Sequence, residues 1–112
     1  MSNALIVLVT ARNTDEASHL ADALVGSRLA ACVNIVSGIE SVYRWEGRVA
    51  RDSETLMIIK TTDDRYTEIE QQIKALHSYT TPEVIAIRIE CGSAAYLKWL
   101  GESVAPKSRT EQ

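Results

Sequence analysis

The sequence predicts an α+β fold: one antiparallel sheet with its helices gathered on one side, in the order β-α-β-β-α-β with a further helix at the end. Three observations predict it. Apolar residues recur at spacings of three and four in two separate stretches, alternate with period two in others, and are punctuated by Gly, Pro and Asp at the joins.

The run Ala4 to Val9 is continuous, apolar and β-branched, the pattern of a central strand covered on both faces. "NTDEASHLADALVG" then places Thr14 as an N-cap and Asp15 and Glu16 in the positively polarised first turn. Ala17, Leu20, Ala21, Leu24 and Val25 form one helical face, and Gly26 closes the helix. From Ala31 the period becomes two, putting Ala31, Val33, Ile35, Ile39, Tyr43 and Trp45 on one face with no change of phase. A strand of roughly 15 residues at about 3.3 Å each is about 50 Å long, whereas a domain of this size has a radius of gyration of only about 13 Å. This strand therefore outruns the body that carries it.

Glu46-Gly47 is a hairpin turn, and the chain returns through Arg48 to Ala50, with an irregular break at Arg51-Asp52-Ser53, and on through Glu54 to Thr61. Leu56 and Ile58 oppose Met57 and Ile59, which marks another interior strand. Asp63 or Asp64 caps a second helix with Tyr66, Ile69, Ile73 and Leu76 on its core face, ending near His77. Val84 to Glu90 is the fourth strand, with Ile85, Ile87 and Ile89 facing inward, and Gly92-Ser93 opens a third helix containing Tyr96, Leu97, Trp99 and Leu100. The order is that of a ferredoxin-like split βαβ fold. Residues 1–104 form its single domain and 105–112 a flexible C-terminal tail.

Composition narrows the function. With 112 residues, 46% of them hydrophobic and 24% charged, the chain is one soluble domain. A net charge of -3 and a pI near 5.3 oppose a grip on nucleic acid or anionic lipid. No apolar run approaches the length of a membrane span and no signal-peptide pattern occurs, so the expected location is cytoplasmic. Cys32 and Cys91 belong to no C-x-x-C pair and read as buried small hydrophobes.

An overhanging hairpin that carries Ile39, Tyr43 and Trp45 needs another surface to cover it, and a second copy of the chain is the expected cover. Catalytic motifs are missing: there is no G-x-S-x-G elbow, phosphate-cradling loop or H-E-x-x-H helix. Asp15-Glu16 and Asp63-Asp64 sit where helix starts favour negative charge, which makes capping the better reading than acid-base work. The best cluster of ligands is "LHSYTTPE", where His77, Tyr79 and Glu83 share a loop and Lys60 ends the neighbouring strand. His77 and Glu83 suit copper or zinc but are fewer donors than a closed zinc site takes, so a third would come from Cys32, Cys91 or another subunit. The competing reading makes His77 a helix C-terminal residue complementing the dipole and pairs Glu83 with Lys60 or Arg88. His19, beside the core-facing Leu20, reads as solvated.

"RLAACVNIV", "SVYRWEGRV", "ETLMIIKTT", "TPEVIAI" and "YLKWL", in this order, resemble the CutA family, the divalent-cation tolerance proteins, over about Leu5 to Val104. The resemblance implies a ferredoxin-like homotrimer whose long hairpins pair between subunits, similar in architecture to the PII signalling proteins. It implies a non-catalytic protein that binds divalent cations weakly, or alternatively a PII-like module that holds a small effector in the intersubunit cleft and contacts a protein partner. Some members are associated with a copper site at positions matching Val9, Leu76 and His77, of which only His77 keeps the family residue; Ser78 and Thr80 also depart from the usual stretch. Lys60, Tyr79, Glu83, Tyr43, Trp45 and Cys32 match the family pattern and would lie near the cleft between subunits.

Overall fold

β1 (Ala4–Ala11) runs through the sheet because its alternate residues Val7 and Val9 have no exposed surface and anchor the interior. It is followed by α1 (Thr14–Gly26), β2 (Cys32–Trp45), β3 (Arg48–Thr62), a 3-10 turn at Asp63–Arg65, α2 (Tyr66–Leu76), β4 (Val84–Arg88) and α3 (Ala94–Val104). The structure, a computed structural model, describes residues 2–106. Of the tail expected from Ala105 onward, 107–112 lie outside the described residues.

The sheet order is β2-β3-β1-β4, and every neighbouring pair is antiparallel. The two βαβ units are thus interleaved, β3 lying between β1 and β2, and β1 between β3 and β4. Val7, Val9, Met57 and Ile59 on one side of the sheet pack with Leu20, Leu24, Ile69 and Ile73 of the two helices into one core. Burying each such side chain contributes about 1.5–3 kcal/mol relative to exposure.

The opposite side of the sheet is the open one, where apolar side chains stay exposed. Residues paired across neighbouring strands share a face, so the register of Ile6 with Lys60 and Ile87, and of Leu8 with Ile58 and Ile85, puts these apolar side chains together on the open side. Ile85 and Ile87 are 52% and 55% exposed there, which corrects the inward orientation expected of β4. Within one chain β1 is covered on one face rather than two.

The other departure lies in β2. Val36 pairs with Leu56 but Ile39 pairs with Glu54, so Ser37 and Gly38 together stand against Thr55 alone. This is a β-bulge, and Gly38 adopts φ +73 to make it. Ile35 pairs with Met57 on the core side, whereas Ile39, Ser41, Tyr43 and Trp45 pair with Glu54, Asp52, Ala50 and Arg48 on the open side. The alternation therefore does change phase, and the break expected in β3 at Arg51-Asp52-Ser53 falls in the partner strand instead.

β1 ends opposite Thr55, so the rest of β2 and β3 continues as a two-stranded ribbon closed by Glu46 (φ 48) and Gly47 (φ 77). Both turn residues have positive φ, the signature of a tight type I′ hairpin. The ribbon stretches the molecule to 52 × 31 × 21 Å and its radius of gyration to 15.1 Å, against about 13 Å for a spherical domain of this length.

Helix ends differ from expectation in three places. Asn13, not Thr14, caps α1, its side chain accepting the Glu16 N–H at 2.8 Å; Thr14 is the first helical residue. Arg28 (φ 63), not Gly26, takes the left-handed position after α1. Neither Asp63 nor Asp64 caps α2: Asp63 accepts the Asn3 N–H at 3.0 Å and Asp64 accepts the Thr62 hydroxyl, both held by the 3-10 turn. Ser93 caps α3 as its sequence suggests, accepting the Tyr96 N–H. Leu76, expected in the core, is 42% exposed because α2 ends there and His77 turns inward in its place.

Candidate functional site

At the root of the ribbon three elements meet through polar side chains. The capping arrangement at the start of α1 sends the Glu16 carboxylate backward, where Oε1 accepts the Arg12 N–H at 2.8 Å and Oε2 accepts the Ser78 N–H at 2.9 Å. Burial alone would raise the Glu16 pKa, but these accepted hydrogen bonds overcome it and leave the carboxyl below its ordinary value.

His77 follows α2 in an extended conformation, and its side chain has no exposed surface. Nδ1 accepts the Tyr79 N–H at 3.0 Å, so Nε2 bears the hydrogen and donates it to the Thr10 carbonyl at 2.8 Å. Glu16 Oε1 lies 4.0 Å from Nε2. The Tyr79 ring tilts against the imidazole with centroids 4.6 Å apart, and its hydroxyl donates to Glu54 Oε2 at 2.8 Å. Burial, and then that hydrogen bond to a carboxylate, push the Tyr79 pKa well above the ordinary phenol. Further out on the ribbon Tyr43 donates to Asp52, which raises its pKa as well. Two tyrosine hydroxyls thus engage two carboxylates that alternate along β3.

The sequence-predicted cluster is brought together only in part. His77 and Tyr79 are in contact, and Glu83 is exposed just before β4. Lys60 pairs with Cys32 and with Ile6, four residues along β1 from the Thr10 that holds His77, a separation of about 13 Å along the sheet. Lys60 therefore does not border the His77 loop, and its Nζ donates to the Asn34 side-chain oxygen. The dipole reading of His77 fails because the ring is buried against β1; the alternative pairing for Arg88 is with Asp63, at 3.8 Å.

His77, Glu83 and Cys32 do not converge within one chain, and among the described residues no three His, Cys, Asp or Glu side chains form a metal-holding group. Both His77 ring nitrogens are in addition already engaged, the Nδ1 lone pair by the Tyr79 N–H. Cys32 is half-buried and Cys91 exposed, against the burial expected of both. His19 is exposed as expected. Sequence reasoning missed Glu16, Asp52 and Glu54. The signal for the first was its position three residues after Asn13, the capping-box spacing; nothing local marks the other two.

The fold and this arrangement have relatives. The family model described as CutA1 divalent ion tolerance protein matches residues 5–103. The chain belongs to the CutA1 family. Its similarity to the divalent-cation tolerance protein CutA of Thermus thermophilus is 47% identity over 98 residues, covering 88% of this chain and 95% of that one. The solved CutA1 structure from the same organism superposes with a TM-score of 0.89 at 45% identity, over 91% of this chain and 99% of that chain. A structure from Archaeoglobus fulgidus, described as a periplasmic divalent cation tolerance protein CutA, gives 0.88 at 40% identity over 91% and 99%. The chloroplastic CutA of Arabidopsis thaliana is 50% identical over 99 residues, 88% of this chain and 54% of that protein. The chain thus spans nearly all of the Thermus CutA and about half of the plant one. The names of these CutA relatives describe cation tolerance or a compartment and specify no reaction. Among the described residues no helix is long and apolar enough to cross a membrane.

Proposed function

We propose that this CutA1 chain is a ferredoxin-like subunit of a homotrimer that serves divalent-cation tolerance without catalysing a reaction. The observation that carries the reading is the uncovered apolar surface: Ile85, Ile87 and Val36 on the open sheet face and Trp45 on the ribbon are 52%, 55%, 41% and 63% exposed. Packing three open faces together, with Ile39, Tyr43 and Trp45 against neighbouring copies, removes that surface from water. The cation tolerance named for the relatives supports the physiological part.

Cation contact in this reading is weak and lies between copies, where Glu83 of one chain and Cys32 of another supply donors for copper or zinc that one chain does not assemble. His77 shapes that cleft through Tyr79 rather than ligating. The cytoplasmic placement rests on the two free thiols, which suit a reducing compartment.

Sedimentation at micromolar concentration tests the assembly. Wild type runs as a trimer and Ile87→Asp runs smaller; a folded wild-type monomer defeats the proposal. Calorimetric titration with copper and zinc tests the second part, which fails if nothing binds below about millimolar. A second reading, a PII-like module with a small effector and a protein partner, is favoured by one feature. Lys60, Asn34 and Cys32 form a polar group on the same face as the apolar residues, a place to hold a small polar molecule between copies. A thermal-shift screen separates the two, because only an effector site raises apparent stability with a metal-free ligand.

A further inference from the structure

We propose that His77 is a proton-operated pin for the loop joining α2 to β4, releasing Tyr79 and with it the root of the ribbon when the imidazole takes a second proton. Both ring nitrogens of His77 are occupied. Nε2 already carries the hydrogen given to the Thr10 carbonyl, so an incoming proton from solvent goes to Nδ1. Nδ1 is the atom that accepts the Tyr79 N–H at 3.0 Å, and once protonated it presents a second N–H to that donor. The two hydrogens repel, and the Tyr79 amide turns away.

The surroundings decide which partner moves. α1 contributes the Glu16 carboxylate, 4.0 Å from Nε2. β1 contributes the Thr10 carbonyl at 2.8 Å. From β3 come Glu54, joined through the Tyr79 hydroxyl, and Asp52 two residues before it; the loop itself contributes the Tyr79 phenol. The carboxylate placed against the ring is that of Glu16, with Glu54 and Asp52 acting on the Tyr79 phenol beyond it, so the imidazolium is held where it lies and the loop yields. Glu16 also keeps its hydrogen bond from the Ser78 N–H, which fixes the near side of the hinge. Movement therefore begins at Tyr79, and the Tyr79 to Glu54 tie between loop and ribbon goes with it.

The test follows both histidines of the full chain by NMR from pH 8 to pH 5, with exposed His19 as internal reference, alongside amide exchange at Tyr79 corrected for intrinsic rate. The expected result is a loss of Tyr79 protection of about tenfold, the equivalent of one hydrogen bond, with the same midpoint as the His77 ring. In Glu16→Gln, which removes the facing charge, the ring and Tyr79 midpoints remain coincident. In His77→Gln the Tyr79 protection no longer changes over this range. Tyr79 protection that persists until global acid unfolding, or that falls at a midpoint different from His77, overturns the proposal. The wild-type comparison decides it even where a variant fails to fold.

Discussion

Tyr79, in the loop after α2, donates its hydroxyl to Glu54 of β3 at 2.8 Å, so one phenol ties the helical layer to the base of the ribbon. Tyr79→Phe keeps the ring against His77 and removes the bond. The expected loss is about 1–2 kcal/mol in urea unfolding at pH 8. The phenol is raised in the folded state, so its contribution is complete below the unfolded value of about 10 and is lost as pH rises through the folded one. Stability of the wild type therefore falls above about pH 10, and more steeply than in Tyr79→Phe; Tyr43 and Tyr66, also raised, add to the slope in both proteins.

Acid acts on the other carboxylate of this region with the opposite sign. The Glu16 pKa is lowered on folding, so its contribution is present above the unfolded value of about 4.3 and disappears as pH falls through the folded one. Asp63 and Asp64, lowered by Asn3 and Thr62 respectively, steepen the same limb. Glu16→Ala leaves the Arg12 and Ser78 N–H groups without their acceptor. Denaturant midpoints measured from pH 7 to pH 3 then show a lower plateau and a shallower fall than wild type.

Backbone conformation at the bulge and at the hairpin tip predicts substitutions of opposite sign. A methyl group at Gly38 meets nothing within 4 Å, so Gly38→Ala is penalised by φ +73 alone, about 1 kcal/mol. Glu46 holds φ 48, a conformation that Asn and Gly adopt at lower cost, and Glu46→Asn or Glu46→Gly stabilises by about 0.5 kcal/mol. Thermal unfolding of the single and paired substitutions checks both signs.

α3 is docked by arginines from two other elements. Arg28 donates to the Ala105 and Glu102 carbonyls at 2.8 and 3.0 Å, and Arg65 donates to the Val104 carbonyl at 2.9 Å. These carbonyls lie at the helix end, where intrahelical partners run out. Arg65→Ala is expected to accelerate amide exchange in α3 several-fold while leaving β1 and β3 unchanged. Equal acceleration throughout would show that α3 opens only with the whole domain.

Periodicity made the order of strands and helices legible, because Ile69 and Ile73, or Val7 and Val9, repeat the spacing of the face they bury. The Glu46-Gly47 turn was legible for the same local reason. The phase reversal in β2 was not: Ser37-Gly38 leaves hydrophobic alternation looking unbroken, since Ile35 and Ile39 are both apolar although they face opposite sides. Ile85 and Ile87 misled for a related reason, as apolar alternation says that a face is to be covered and not by what. The site was legible as a loop, through His77 and Tyr79. Its closing contacts to Glu16 and Glu54 join residues 62 and 25 positions apart, and no local pattern encodes such a pairing.

The extra residue at Ser37-Gly38 divides the labour of a single strand. Up to Val36 the large side chains that matter most seal the chain's own interior; beyond it the same even and odd positions turn their bulk outward. Removing Ser37 would restore equal counts on the two strands, setting Gly38 against Thr55 and leaving Ile39, Tyr43 and Trp45 opposite Glu54, Ala50 and Arg48 as before; what is lost is the local bend of the bulge. The inserted residue thus lets odd-numbered positions, which fill the interior at Ile35, carry the outward row at Ile39, Tyr43 and Trp45 without any break in the written alternation.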